Sequence, residues 1–359
     1  MKKISLWNLL ILNAYWVGLS FMWNSLHPIV LPALLLNFVP ENYKNTYLGL
    51  LTFAGLIIAM IVQPVSGAIS DRWVSRWGRR KPLITLGTLT DLIFLGLLAW
   101  SGGFIWVVIG YIGLQFSSNV AHGPMQGLLP DRVPNGQLGI ASGLKNVLDM
   151  GGLIAASLVA GRLFDPEVRS PWLIMAVVIA LLLITLSITV LGTKEEPSHP
   201  AAEKTVPWSL AAFSRIDFSA HRDFWRLIAM RFVFLLGIYG IQAFIQYYLR
   251  DALKFANPVQ QTGDLLAAIT LTLVSFSLVG GWLCDRFGAR LLMAAAGGLA
   301  ALGSLLLLWA QTPTTLILFG SVLGAGIGLF LTSNWALANR LVPVKESGMF
   351  LGLTNLATA

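Results

Sequence analysis

Apolar runs of about 20 residues, the length a helix needs to cross the hydrocarbon of a bilayer, recur along the whole chain. They lie near 6–36, 47–69, 83–100, 105–129, 139–163, 172–191, 224–249, 265–284, 291–310 and 315–338. The pattern predicts ten complete spans, with an eleventh that opens at Gly348 and is cut off by the end of the chain. The polar breaks between spans are short except for one, from Gly192 to Arg222, which is rich in Pro, Glu and Lys and reads as a linker. An all-α membrane protein is therefore expected. Its N-terminal six-helix half would cover 1–192, a cytoplasmic linker 193–222, and a C-terminal half 223–359 holding about four complete helices and the start of a fifth. Met1-Lys2-Lys3 before the first run imitates a signal peptide. The run continues through Asn24, His27 and Pro32 without a small-residue cleavage site, so it reads as a retained span.

Composition agrees with this reading. With 56% hydrophobic and 11% charged residues, the chain has too little polar surface to cover a soluble globule. The net charge of +8 is not a nucleic-acid footprint, because no solvated domain carries a basic cluster. Topology explains it better, since Lys and Arg accumulate in cytoplasmic loops. With the N-terminus inside, 17 of the 24 basic residues fall in the cytoplasm and 5 outside, leaving Lys145 and Arg231 within spans. This predicts a multi-pass protein of the cell membrane, with its N-terminus in the cytoplasm and lipid as its surroundings; a monomer is expected, though charge placement does not bear on that. Cys284 is the only cysteine, so disulfides and thiolate metal clusters are excluded. His199 and His221 in the linker have no metal-ligand spacing. No phosphate-binding glycine loop precedes a helix, and no cofactor, metal or catalytic residue is expected.

The chain repeats itself. Asp131-Arg132-Val133-Pro134, Gly139, Gly143-Leu144 and Asn146 recur as Asn339-Arg340, Pro343, Gly348, Gly352-Leu353 and Asn355. Gly67-Ala68-Ile69-Ser70-Asp71-Arg72 recurs as Gly281-Trp282-Leu283-Cys284-Asp285-Arg286. Two elements repeated in the same order imply two homologous halves, an architecture that places substrate at the bilayer midplane.

Polar side chains at membrane depth mark candidate chemistry. Gln115, Asn119, His122 and Gln126 share one face of the fourth span, as Asn13, Ser20, Asn24 and His27 do on the first. Such neutral donors and acceptors, with Trp16 and Trp23 beside them, suit sugar hydroxyls; the plainer alternative is interhelical hydrogen bonding. Gln242 and Gln246 on the seventh span join the candidate pathway, as do Lys145 and Arg231. Lys145 and Asp149 stand at i and i+4 on the fifth span, close enough to pair. A carboxylate there can take and release a proton, which makes Asp149 the first candidate for coupling and Asp91 the second; a purely structural pair is the alternative.

Gly67-x-x-x-Asp71-Arg72 followed by Gly78-Arg79-Arg80-Lys81-Pro82 resembles the loop signature of the major facilitator superfamily. The inserted Trp73-Val74-Ser75-Arg76-Trp77 is more similar to its sucrose and glycoside:cation symporter branches. So is Ser118-Asn119-x-x-His122-Gly123-Pro124-x-Gln126-x-Leu128-Leu129-x-Asp131 on span four. The resemblance implies a fold of two six-helix repeats, its last two helices missing here, that carries a sugar with a proton as coupling ion by alternating access. It also implies a cytoplasmic gate. Asp71 would latch the helix opening at Gly348 and Asp285 the helix opening at Gly139, completed by Gly67, Arg72, Arg79, Arg80, Asp131 and Arg286; the plainer alternative for Arg79 and Arg80 is enforcement of topology. The chain departs from the family's pattern in two places. Gln115 and Gln126 stand where plant relatives carry an acidic residue and an arginine, and the second span holds no carboxylate for a sodium site. A facilitator or exporter of another small molecule, a membrane-embedded enzyme and an inactive fragment stay open as alternatives.

Overall fold

The computed structural model describes residues 3–100, 102–134, 137–164, 171–195 and 222–341. Within them, ten helices are long and apolar enough to cross a membrane. They are α1 (Leu6–Leu36), α2 (Lys44–Arg72), α3 (Lys81–Trp100), α4 (Phe104–Arg132), α5 (Leu138–Leu163), α6 (Trp172–Gly192), α7 (Arg222–Asp251), α8 (Pro258–Phe287), α9 (Ala289–Leu307) and α10 (Pro313–Leu341). No strand occurs among the described residues. The linker beyond Glu195 and the helix expected to open at Gly348 lie outside them.

Helix boundaries follow from local chemistry. Ser5 caps α1, its hydroxyl accepting from the amide of Asn8 at 3.2 Å. Glycine supplies the left-handed backbone that the turns before α3 and α9 need, at Gly78 (φ +96°) and Gly288 (φ +85°). The first span departs from the straight helix its apolar run predicts. It is broken after Asn13, resumes at Tyr15, widens into a π-helical turn over Leu26–Val30 and resumes at Leu31. Pro28 and Pro32, which lack an N–H, are the cause of the π turn, which re-aims the side chains around it.

The chain forms two compact units. The first comprises residues up to 201 together with 246–264, and in it α4 packs against α2 and α3 while α1 packs against α5 and α6. Its core is apolar, around Tyr15, Met22, Leu34, Tyr111 and Leu182. Large apolar side chains such as Leu50, Phe53, Met60, Ile93 and Leu173 also point away from that core. A soluble protein would bury them; here they meet lipid, and the buried polar groups pair inside the bundle instead. In the second unit α9 packs closely on α10, and Phe234 of α7 stacks on Phe330 of α10 with centroids 3.7 Å apart.

Small residues set the closest helix approach. A Cβ added at Gly123 of α4 would lie 2.2 Å from the Gln63 carbonyl oxygen and 2.8 Å from the Gly67 nitrogen, both backbone of α2. Gly123→Ala must therefore push two helices apart, and its thermal unfolding in detergent is expected to show a loss of about 1–3 kcal/mol. An unchanged unfolding midpoint would contradict this packing.

Candidate functional site

The polar positions of the first span divide by direction. Asn13 donates to the carbonyl oxygens of Leu9 (2.9 Å) and Ala141 (3.4 Å), and Ser20 donates to the carbonyl of Asp149 (2.7 Å). These two bind α1 to α5, so the plainer interhelical reading describes them. Asn24 turns back onto Ser20, at 2.8 Å to its carbonyl and 3.2 Å to its hydroxyl. His27, inside the π turn, faces α4 instead. Its Nε2 stands 2.9 Å from the Tyr111 hydroxyl and 3.3 Å from Gln115 Nε2, and its ring stacks on Trp23 at 4.8 Å.

On α4 the four polar positions form two bonded pairs. Asn119 Nδ2 donates to the Gln115 carbonyl (2.7 Å) and to its Oε1 (3.3 Å), and both residues are buried. One turn further, Gln126 Nε2 lies 3.3 Å from His122 Nε2, with His122 half-buried and Gln126 exposed. Trp16 of α1 meets the His122 ring edge-on at 5.2 Å, and the Lys145 ammonium lies over the same indole at 4.0 Å. Lys145 pairs with Asp149 at 3.3 Å, each side chain 27% exposed. The structure thus brings Trp16, Trp23, Asn24, His27, Gln115, Asn119, His122, Gln126, Lys145 and Asp149 into one neighbourhood of the first unit.

Other candidates stand apart from it. Asp91 of α3 is fully buried; one carboxyl oxygen accepts from Ser117, and the other has no hydrogen-bond partner among the described residues. Arg231 of α7 is buried in the second unit, where it donates to Asn334 Oδ1 at 3.0 Å and lies over the Trp335 ring at 5.1 Å. Gln246 is buried in the first unit, and Gln242 is half-buried in the second.

The expected gate residues around the α2–α3 turn form a compact ion network centred on Arg80, which is 5% exposed. Its guanidinium reaches Asp71 at 2.5 Å and Asp131 at 2.8 Å, and it also donates to Ser70 and to the Gly67 carbonyl. Arg79 holds Asp131 with two bonds, at 2.5 and 3.1 Å. Arg72 is exposed and makes no ion pair among the described residues. In the second unit Asp285 is exposed, and Arg286 lies over the rings of Trp282 and Phe287. Asp71 is engaged by Arg80; its expected partner helix at Gly348 lies outside the described residues.

Sequence reasoning missed Glu195, whose carboxylate accepts from the backbone N–H of Arg80 and of Lys81, both at 3.3 Å, and so caps the start of α3. A Cβ at Gly78 would collide with it. Burial pushes the Glu195 carboxyl above the ordinary glutamate range, against the pull of those two amides. The folded chain then holds the protonated form more readily than the unfolded chain does. This contribution is full below the unfolded pKa and is lost as pH rises through the raised one. Glu195→Gln keeps the acceptor without the charge. Its melting temperature is expected to exceed the parent's near pH 7 and to match it well below the ordinary value of 4.5. A variant less stable than the parent near pH 7 would contradict this.

Among the described residues no group of three or more His, Cys, Asp and Glu could hold a metal ion. What the neighbourhood offers is a set of neutral donors and acceptors, two indole faces and one ammonium–carboxylate pair, inside a bundle of apolar spans. Fold and site together define a multi-pass membrane protein of solute-carrying type. The chain belongs to the Major Facilitator Superfamily, which it matches over residues 8–359, and that is a family of transporters rather than enzymes. It is 25% identical over 228 residues to the rat proton-associated sugar transporter A, covering 56% of this chain and 29% of that protein. It is 23% identical over 298 residues to the multi-drug resistance efflux pump PmrA of Streptococcus pneumoniae, covering 83% of this chain and 72% of the pump. The crystal structure of a D-xylose-proton symporter superposes with a TM-score of 0.70 at 16% identity, covering 98% of this chain and 86% of that one. The chain spans well under half the length of the mammalian relatives it matches.

Proposed function

We propose that this chain is a sugar:proton symporter of the cell membrane, a monomer that moves a glycoside or disaccharide by alternating access with its N-terminus in the cytoplasm. One observation carries the reading: the indole rings of Trp16, under Lys145, and Trp23, stacked on His27, stand among neutral hydrogen-bonding groups with the Lys145–Asp149 pair beside them. Sugars present hydroxyls that ask for such paired donors and acceptors, and apolar ring faces that stack on aromatic rings. A proton needs one carboxylate that can change charge state, and Asp149, paired with Lys145 beside the polar array, supports that reading. The likeness to a proton-associated sugar transporter supports the same class. Charge placement along the sequence supports the orientation.

A second reading, export of a drug-like molecule, is favoured by the alignment with the pneumococcal pump, which covers most of both chains. The polar character of the site weighs against it, since a lipophilic drug leaves such groups unpaired.

Thermal unfolding of the purified protein against a panel separates the two. A bound ligand at a hundred times its Kd stabilises by about 2.7 kcal/mol. Stabilisation by sucrose, maltose or a methyl glucoside, with none by tetracycline or ethidium, is the expected result. The reverse pattern would move the function to export.

A further inference from the structure

We infer that Tyr111 is a positioning residue: with Gln115 it locks His27 into the tautomer protonated on Nδ1, so that His27 meets the substrate as a hydrogen-bond donor. The inference rests on the sugar-site reading above for its substrate, and on the direction of a hydrogen-bond chain for its geometry. Tyr111, Gln115 and Asn119 stand at i, i+4 and i+8 on α4. Asn119 Nδ2 donates to Gln115 Oε1, which turns the amide nitrogen of Gln115 the other way. That nitrogen donates to the Tyr111 hydroxyl at 2.8 Å. Tyr111 is fully buried and has one proton to give; having accepted from Gln115, it gives that proton to His27 Nε2 at 2.9 Å. Gln115 Nε2 itself lies 3.3 Å from the same ring nitrogen. A ring nitrogen that accepts the Tyr111 proton must be bare. The neutral imidazole then carries its hydrogen on Nδ1.

The ring has little freedom to turn over. It stacks on Trp23 at 4.8 Å with 22° between planes, and its edge contacts the Tyr111 ring at 5.7 Å. The π turn that contains His27 sets this aim, because Pro28 and Pro32 deprive the span of regular helical bonding there. His27 is only partly buried, and its Nδ1 makes no hydrogen bond among the described residues. An Nδ1–H beside an indole face is a donor for a substrate hydroxyl or ring oxygen.

The test reads the tautomer directly, without substrate. Purified protein carrying 15N-labelled histidine is compared with His27→Gln, which identifies the His27 signals, and with Tyr111→Phe, which keeps the ring and removes the hydroxyl. Protonated Nδ1 with bare Nε2 is expected in the parent, and a mixture of tautomers in Tyr111→Phe. Protonated Nε2 in the parent, or the parent's pure tautomer in Tyr111→Phe, overturns the inference. A second arm measures KM for sucrose and maltose uptake. Asparagine places its amide nitrogen where Nδ1–H stands, so His27→Asn is expected to hold KM close to the parent's. His27→Gln, which mimics Nε2, is expected to raise it about tenfold, the size of one lost hydrogen bond. The opposite order overturns the donor role. If the parent moves neither sugar, the substrate reading fails while the nitrogen signals still decide the tautomer.

Discussion

Asp149→Asn is expected to abolish uphill accumulation of substrate while leaving exchange of substrate across the membrane intact. A proton gradient of two pH units can sustain about a hundredfold accumulation, since each unit is worth about 1.4 kcal/mol. Without a group that changes charge the ratio falls to one, whatever the affinity for substrate. Asp149 is the proposed coupling residue because it is only partly buried, at 27% exposure, and because its partner Lys145 lies over Trp16 in the polar neighbourhood of the first unit. Asp91→Asn is the matched control: its carboxyl is fully buried and held by Ser117. The asparagine at 91 should retain accumulation. Accumulation by Asp149→Asn equal to the parent's, with loss in Asp91→Asn, would transfer coupling to Asp91.

Arg80→Ala should produce the largest loss of stability of any single substitution in the α2–α3 turn. One guanidinium there joins Asp71 on α2 to Asp131 on α4, while Ser70 and the Gly67 carbonyl take its remaining donors. Removing it leaves two carboxylates near one another with only Arg79 to answer them. Breaking a buried pair from one side costs about 3–5 kcal/mol, and the side chain of Asp71 is 45% exposed, so the lower part of that range is expected. Arg80→Lys should not restore the loss, because one ammonium cannot fork to both carboxylates. Adding Asp71→Asn and Asp131→Asn to Arg80→Ala should recover much of it by removing the unanswered charge. Thermal unfolding in detergent checks all three. Parental stability in Arg80→Ala would mean the turn charges only set topology.

The spans were legible because the bilayer imposes one rule on every residue of a long run: twenty or so apolar positions with few charges. The Lys145–Asp149 pair was equally legible, since helical spacing alone brings i and i+4 together. The division of the first polar stripe was not. Asn13, Ser20, Asn24 and His27 share a face on an ideal helix, but the break after Asn13 and the π turn at Leu26–Val30 change the angle between successive residues. Asn13 and Ser20 therefore serve α5, and His27 serves α4. Tyr111 could have been found, because it continues the four-residue ladder of Gln115 and Asn119; its apolar ring hid it among core residues. Glu195 shows a different limit. Its partner Lys81 lies 114 residues away along the chain, and no spacing within one element announces such a contact.

The central claim, that this site carries a sugar with a proton, is tested most directly by uptake of labelled sucrose, maltose and methyl glucosides into proteoliposomes under an imposed inward proton gradient. The account predicts accumulation of at least one of them above its external concentration, collapsing when an uncoupler dissipates the gradient. Folded, inserted protein that accumulates none of them, with or without the gradient, would contradict it.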